Sequence, residues 1–281
     1  LPQIGIINTL YCVGDTALLR VPRDHPGHIA QARAEALAVP AARAAGVRTP
    51  RLLVYDDTCD LLPVPYSIVE RVTAINLESL GRNPGETAGI WRALGRDLAL
   101  LHTGVPNDGP AGALRIERPG RDPRDLVEVR AREGWFTGLE ARWLTAWLER
   151  IAPAVNGPDA QRCLHLDVQA TNILVRADGE EYLALIDWGC AGWGDPAWDF
   201  FGMPLRAVPF ALEGHRQIAR LDGDDGAEAR VLWRHLQFVL AVLPRGATPG
   251  LSWGEHPLAW LLEVLRFFLD QPEGRWRDLR P

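Results

Sequence analysis

The chain has 281 residues, 47% apolar and 23% charged, a balance that suits a soluble globular fold of one large domain or two lobes sharing a cleft. A formal net charge of −6 with no basic face argues against a nucleic-acid partner. No apolar run reaches the roughly 18 residues of a membrane span and no signal peptide is evident, so a cytoplasmic protein with no membrane partner is expected.

The chain opens with a predicted hairpin. Ile4, Ile6 and residues 10–13 lead into the Gly14-Asp15 turn pair, and Ala17–Val21 returns until Pro22 stops it. Residues 28–45 are Ala-rich with helical periodicity, Pro40 interrupting or kinking the helix and Gly46 at its C-cap. Strands are predicted at 51–55 and 66–72, then an amphipathic helix at 88–102. Residues 104–125, rich in Gly, Pro and Arg, read as a loop, either a substrate lid or a plain connector. Residues 126–150 form one long helix or two, residues 163–189 a mixed β segment, and residues 226–243 and 258–269 further helices. The order is a β-rich first quarter, then a larger helical part holding one β segment.

That segment carries the chemistry. From Cys163 it reads CLHLDVQATNILVRADGEEYLALIDWG. Two short apolar runs flank Asp178-Gly179, a turn pair, which predicts a hairpin. Asn172 precedes the first run and Asp187 follows the second, so pairing about the turn makes them facing neighbours, roughly 4.5–5.5 Å apart between Cα atoms. Amide and carboxylate oxygens at that spacing suit Mg²⁺. Asp167, five residues before Asn172, lies in the loop entering the hairpin, where a carboxylate can take a proton from an attacking hydroxyl or orient it. His165 is expected to orient that loop through ring hydrogen bonds, and Gly189 to permit a sharp exit turn. At this composition the pattern H-x-D-x4-N arises by chance in roughly one chain in a hundred.

These residues resemble the aminoglycoside phosphotransferase and choline kinase-like family, whose fold is akin to that of protein kinases. His165-Leu166-Asp167 with Asn172 looks like the catalytic loop, and Asp187-Trp188-Gly189 like the metal-binding triplet. Leu166 departs from the usual Gly. The resemblance implies an α+β bilobal fold, with a small nucleotide-binding lobe over residues 1–72 and a larger, mainly helical lobe over 73–281 that carries catalysis and the acceptor. Residues 5–9, including Asn8, sit where the nucleotide-covering loop belongs. Arg20 stands in the place of the phosphate-binding Lys and Glu35 in that of its acidic helix partner; adenine would lie against the backbone of Glu70 and Val72.

All 30 basic side chains are Arg, so a phosphate-binding role ordinarily given to Lys falls to Arg20. Cys12, Cys59, Cys163 and Cys190 show no CxxC spacing and are expected to be free thiols. The implied reaction is Mg²⁺-dependent transfer of the γ-phosphoryl group of ATP or GTP to a hydroxyl of a small cationic molecule. An antibiotic, aminoglycoside or cyclic peptide, is the favoured acceptor, with resistance as the outcome and Asp195, Asp199, Glu255, Glu263 and Asp270 as candidate acidic contacts. The alternatives are a metabolic kinase of choline, homoserine or a sugar amine, and a pseudokinase that binds nucleotide without transfer.

Overall fold

The computed structural model describes residues 7–155, 161–246 and 257–281. β1 (Asn8–Val13) and β2 (Ala17–Pro22) pair antiparallel, with Val13 opposite Ala17 and Gly14 at φ +60° in the turn. Ile4 and Ile6, expected at the start of this hairpin, lie outside the described residues, as do Gly5 of the covering-loop segment and Glu255. Helix α1 (Pro26–Ala44) follows, its first turn capped by His25 Nδ1, which accepts the Gly27 N–H at 3.1 Å. Pro40 lies inside a continuous α1 rather than interrupting it, and sits on the exposed face of the helix. Gly46, at φ +94°, closes the helix, with the Gly46 and Val47 N–H groups donating to the carbonyls of Arg43 and Ala42. β3 (Leu52–Asp56) and β4 (Tyr66–Glu70) complete a four-stranded sheet in the order β1-β2-β4-β3.

The rest of the chain is mainly helical around short strands. β5 (Ile75–Asn76) leads into α2 (Ala88–Gly104), whose Ile90, Leu94, Leu98 and Leu101 recur at helical spacing and are buried. The predicted 104–125 loop contains β6 (Arg115–Ile116) and the start of α3 (Pro123–Arg132). The 126–150 segment is two helices, α3 and α4 (Gly138–Val155), parted at Gly134, which takes φ +84°. β7 (Arg162–Leu164), β8 (Ile173–Val175), β9 (Tyr182–Leu185) and β10 (Gly192–Gly194) form two three-stranded sheets, β6-β10-β7 and β5-β8-β9. Helices α5 (Val208–Arg216), α6 (Ala227–Val242) and α7 (Pro257–Leu269) complete the core.

Two contacts position the site. Arg48, in the link after α1, donates to Asp97 of α2 at 2.8 Å and lies 4.3 Å from the centre of the Tyr182 ring, while its carbonyl accepts the Leu185 N–H at 2.9 Å. This joins α1, α2 and β9. Helices α2 and α5 approach at two glycines: a Cβ on Gly95 would lie 1.9 Å from the Ala211 oxygen, and one on Gly214 2.0 Å from the Arg92 oxygen. Backbone cannot yield as a side-chain tip can, so Gly95→Ala should destabilise the protein by about 3 kcal/mol or more, at the upper end of overpacking costs. Urea unfolding measures this, and an unchanged midpoint would contradict the packing.

Candidate active site

The site is built on the loop between β7 and β8. His165 is wholly buried, and its ring joins two segments. Nε2 lies 3.0 Å from the Ile186 carbonyl, and Nδ1 accepts the Asp167 N–H at 3.2 Å. A carbonyl only accepts, so the proton is on Nε2 and the ring is neutral in this arrangement. The ring stands edge-on to Trp188 at 4.6 Å, whose indole N–H donates to Thr49 Oγ1 at 3.0 Å. The His165 ring thus ties the β7–β8 loop to the segment that follows β9.

Leu166 explains why Gly would suit its position: it takes φ +64°, a left-handed conformation that costs a branched residue roughly 1–2 kcal/mol. Two forces hold it there. Its side chain is buried, and its N–H donates to Asp199 Oδ1 at 2.7 Å. Asp199 Oδ2 accepts the His165 N–H at 3.1 Å. Asp199 therefore clamps this loop from below. It is 1% exposed, so it is not an acceptor contact as the sequence had suggested. Asp195 is also structural, accepting from the Ala197 N–H and from Arg230 Nε at 2.8 Å.

Asp167 leaves this loop toward Asn172. Asn172 Nδ2 donates at 2.9 Å to both the Asp167 carbonyl and its Oδ2, and Gln169 donates to Oδ1. Burial pushes the Asp167 carboxyl above its usual range; the hydrogen bonds from Gln169 and Asn172 oppose this, and the nearby Asp187 charge adds to it. With Nδ2 turned to Asp167, the oxygen of the Asn172 amide is its remaining ligating group. Asn172 Oδ1 and the Asp187 carboxylate would supply hard oxygen donors of the kind that fits Mg²⁺. Among the described residues no group of three or more His, Cys, Asp or Glu could hold a metal ion.

Two details correct the sequence reading. Asn172 does not face Asp187: the hairpin closes through a turn at residues 176–179 and bulges between Leu174 and Val175. The Asn172 carbonyl then accepts the Ile186 N–H at 2.9 Å, which sets Asp187 one residue further on. The exit turn is made by Asp187, at φ +67°, and not by Gly189. Gly189 is required for another reason, since a Cβ there would meet Gln31 Cβ of α1 at 2.8 Å. That close approach brings the helix carrying Glu35 against the Asp187 turn.

Arg20 on β2 donates to Glu35 of α1. Burial works against the Arg20 charge, but Glu35 and Asp187 outweigh it and hold its pKa above the usual value. Arg20, Glu35, Asp187, Asp167 and Asn172 thus converge. Asn8 is instead the first residue of β1, opposite Pro22; Glu70 ends β4, where its N–H donates to the Arg51 carbonyl at 2.8 Å, and Val72 lies in the link to β5.

A cleft of about 350 Å³ adjoins the loop, lined by Leu77, Trp91, Ala170, Arg206, Leu262 and Glu263 among others. Ala170 sits between Asp167 and Asn172. The Glu263 carboxylate in this wall is taken by Arg206, at 2.9 and 3.0 Å. Asp270 is exposed just beyond α7.

The profile of the phosphotransferase enzyme family matches residues 2–221. Among solved structures, the GDP complex of wild-type aminoglycoside 2'-phosphotransferase-IIIa is 15% identical, covering 94% of this chain and 91% of that one at a TM-score of 0.66. A macrolide 2'-phosphotransferase apoenzyme from Brachybacterium faecium is 20% identical, covering 97% and 91% at 0.59. A choline/ethanolamine kinase family protein from Mesorhizobium loti is 18% identical, covering 96% and 87% at 0.56. At these identities the likeness is one of fold. No curated protein matches this sequence.

The clamp yields a stability prediction. Asp199→Ala leaves two buried backbone N–H groups, and the buried His102 whose Nε2 lies 2.9 Å from Asp199 Oδ2, without their acceptor, so about 3–5 kcal/mol should be lost. A urea midpoint within error of the parent would contradict the clamp.

Proposed function

The chain belongs to the phosphotransferase enzyme family, and from that premise we propose that it transfers the terminal phosphoryl group of ATP or GTP to a hydroxyl of a small molecule. The observation that carries this reading is the convergence of Asp167, Asn172, Asp187 and the Arg20–Glu35 pair. Asp167, held by Asn172 and Gln169, accepts the hydroxyl proton or aligns the hydroxyl for attack on phosphorus. Its raised affinity for a proton favours acceptance.

Arg20, fixed by Glu35, neutralises the triphosphate through its forked guanidinium. Asn172 and Asp187 would hold Mg²⁺, which when bound screens charge on the phosphates. Residues 1–72 form the nucleotide lobe, with adenine against the backbone of Glu70 and Val72 and Asn8 near the phosphates, and residues 73–281 carry catalysis and the acceptor. The cleft beside Ala170 takes the acceptor, and its volume is in the range of small-molecule sites.

Antibiotics are the favoured acceptors, in keeping with the aminoglycoside and macrolide phosphotransferases of similar fold, and resistance in the cytoplasm would be the biological outcome. The carboxylate count tempers the polycationic version: Asp195, Asp199 and Glu263 are all engaged within the protein. A metabolic acceptor is the second reading, supported by the choline/ethanolamine kinase family neighbour. Against a pseudokinase, Leu166 adopts the left-handed turn despite its side chain, and Arg20 finds its acidic partner.

The test is nucleoside diphosphate release with a panel of aminoglycosides, cyclic peptides, macrolides, choline, homoserine and sugar amines. Release above the water background with an antibiotic, abolished by EDTA, is expected. Release with metabolites alone moves the assignment to the second reading, and tight nucleotide binding with no release from any acceptor contradicts catalysis. Arg20→Ala should weaken nucleotide binding roughly 10- to 100-fold, the worth of a charge-assisted hydrogen bond, as calorimetry would measure. Unchanged affinity would remove Arg20 from the phosphate site.

A further inference from the structure

Behind the catalytic loop lies a buried chain of histidines that the phosphotransfer reading does not use. His215 Nδ1 of α5 lies 2.8 Å from the Ala219 carbonyl, His215 Nε2 lies 3.1 Å from His102 Nδ1 of α2, and His102 Nε2 lies 2.9 Å from Asp199 Oδ2. The His102 and Asp199 side chains are 2% and 0% exposed. The glycine contact between α2 and α5 presses these two histidines together.

Hydrogen-bond arithmetic fixes where the protons are. The Ala219 carbonyl only accepts, so His215 Nδ1 carries a proton. Burial, and then the neighbouring His102, push the His215 pKa down to about 3, so this ring is neutral and its Nε2 is bare. His102 Nδ1 must therefore donate to it. At the other end, Asp199 already accepts N–H groups from His165 and Leu166, and such bonds stabilise an ionised carboxylate. A neutral His102 that donates through Nδ1 would turn a bare Nε2 toward that carboxylate, setting lone pair against lone pair.

We infer that His102 is a doubly protonated imidazolium ion-paired with Asp199, and that it acts as a positioning residue holding the clamp under Asp167. The groups facing it are Asp199 from the turn at residues 196–200, His215 from α5, and Asp222 from the segment before α6. Cys163 of β7 lies within electrostatic reach of Asp199; burial, with that carboxylate adding, pushes its thiol up to about 12, so it stays neutral. Removing the imidazolium frees Asp199 to turn away from the Leu166 N–H, and the strained left-handed residue can then relax and carry Asp167 with it. The positioning role rests on the phosphotransfer reading, whereas the proton count does not.

The test has two arms. In ¹⁵N-histidine-labelled full-length protein at pH 7, the ring of His102, assigned through its contacts with His215, should show protons on both nitrogens. One bare nitrogen on His102 overturns the proton count, and this readout needs no acceptor. In the second arm, His102→Gln should lower kcat for nucleotide turnover, to an acceptor or to water, by about tenfold while leaving nucleotide Kd within about twofold. Equal losses in kcat and affinity, or no loss in either, overturn the positioning role. If the variant does not fold, the first arm decides the ion pair on the parent protein.

Discussion

The active-site loop depends on one buried carboxylate. Asp199 receives the N–H groups of His165 and Leu166, and with them it holds a leucine in a left-handed conformation. A peptide N–H buried without a partner costs about 1–3 kcal/mol, so two such bonds outweigh the backbone strain at Leu166. Past that strained residue the chain turns toward the hairpin, and Asp167 is carried to Asn172. His165, pinned between the Ile186 carbonyl and the Asp167 N–H, ties the loop to the segment that leads from β9 to Asp187. The geometry of Asp167 and Asn172 is set from beneath, by buried residues of the surrounding fold.

Charge balance shapes the upper half. Glu35 and Asp187 lie near Arg20, Asp167 lies near Asp187, and burial makes every unpaired charge costly. Arg20 is kept charged by Glu35 and Asp187, while Asp167, buried and with a like charge nearby, holds its proton more tightly than a free carboxylate. In a chain whose basic side chains are all arginines, the planar fork of Arg20 can meet a carboxylate and a phosphate together, which a lysine ammonium does only as a point charge.

Much of this was legible in the sequence because spacing and turn chemistry are local. The H-x-D-x4-N and D-x-G spacings, the Asp178-Gly179 turn and the Arg20 strand each announce themselves within a few residues. The hairpin register was off by one because a bulge is set by tertiary pairing and leaves no mark in the pattern of apolar residues. Gly189 was read as a turn residue, yet its need arises from Gln31, far away in the chain. His102 was the largest omission, and Asp199 was read as a candidate acceptor contact, not as the clamp of the loop. Their signal was a polar residue in an otherwise apolar setting, as in the Leu100-Leu101-His102 end of α2, and only the fold brings together partners 97 positions apart. The two-residue strands β5 and β6 carry too few residues to show any period.

The most direct test of the central claim, that this loop exists to hold Asp167 against an acceptor hydroxyl, is a paired measurement on Asp167→Ala. Nucleotide dissociation constant and γ-phosphoryl transfer, followed with labelled nucleotide, would be determined on the same preparation. The account predicts nucleotide binding close to the parent and transfer lowered by a factor on the order of 10²–10⁴, the usual contribution of a positioned proton acceptor. Transfer at the parent rate would contradict it.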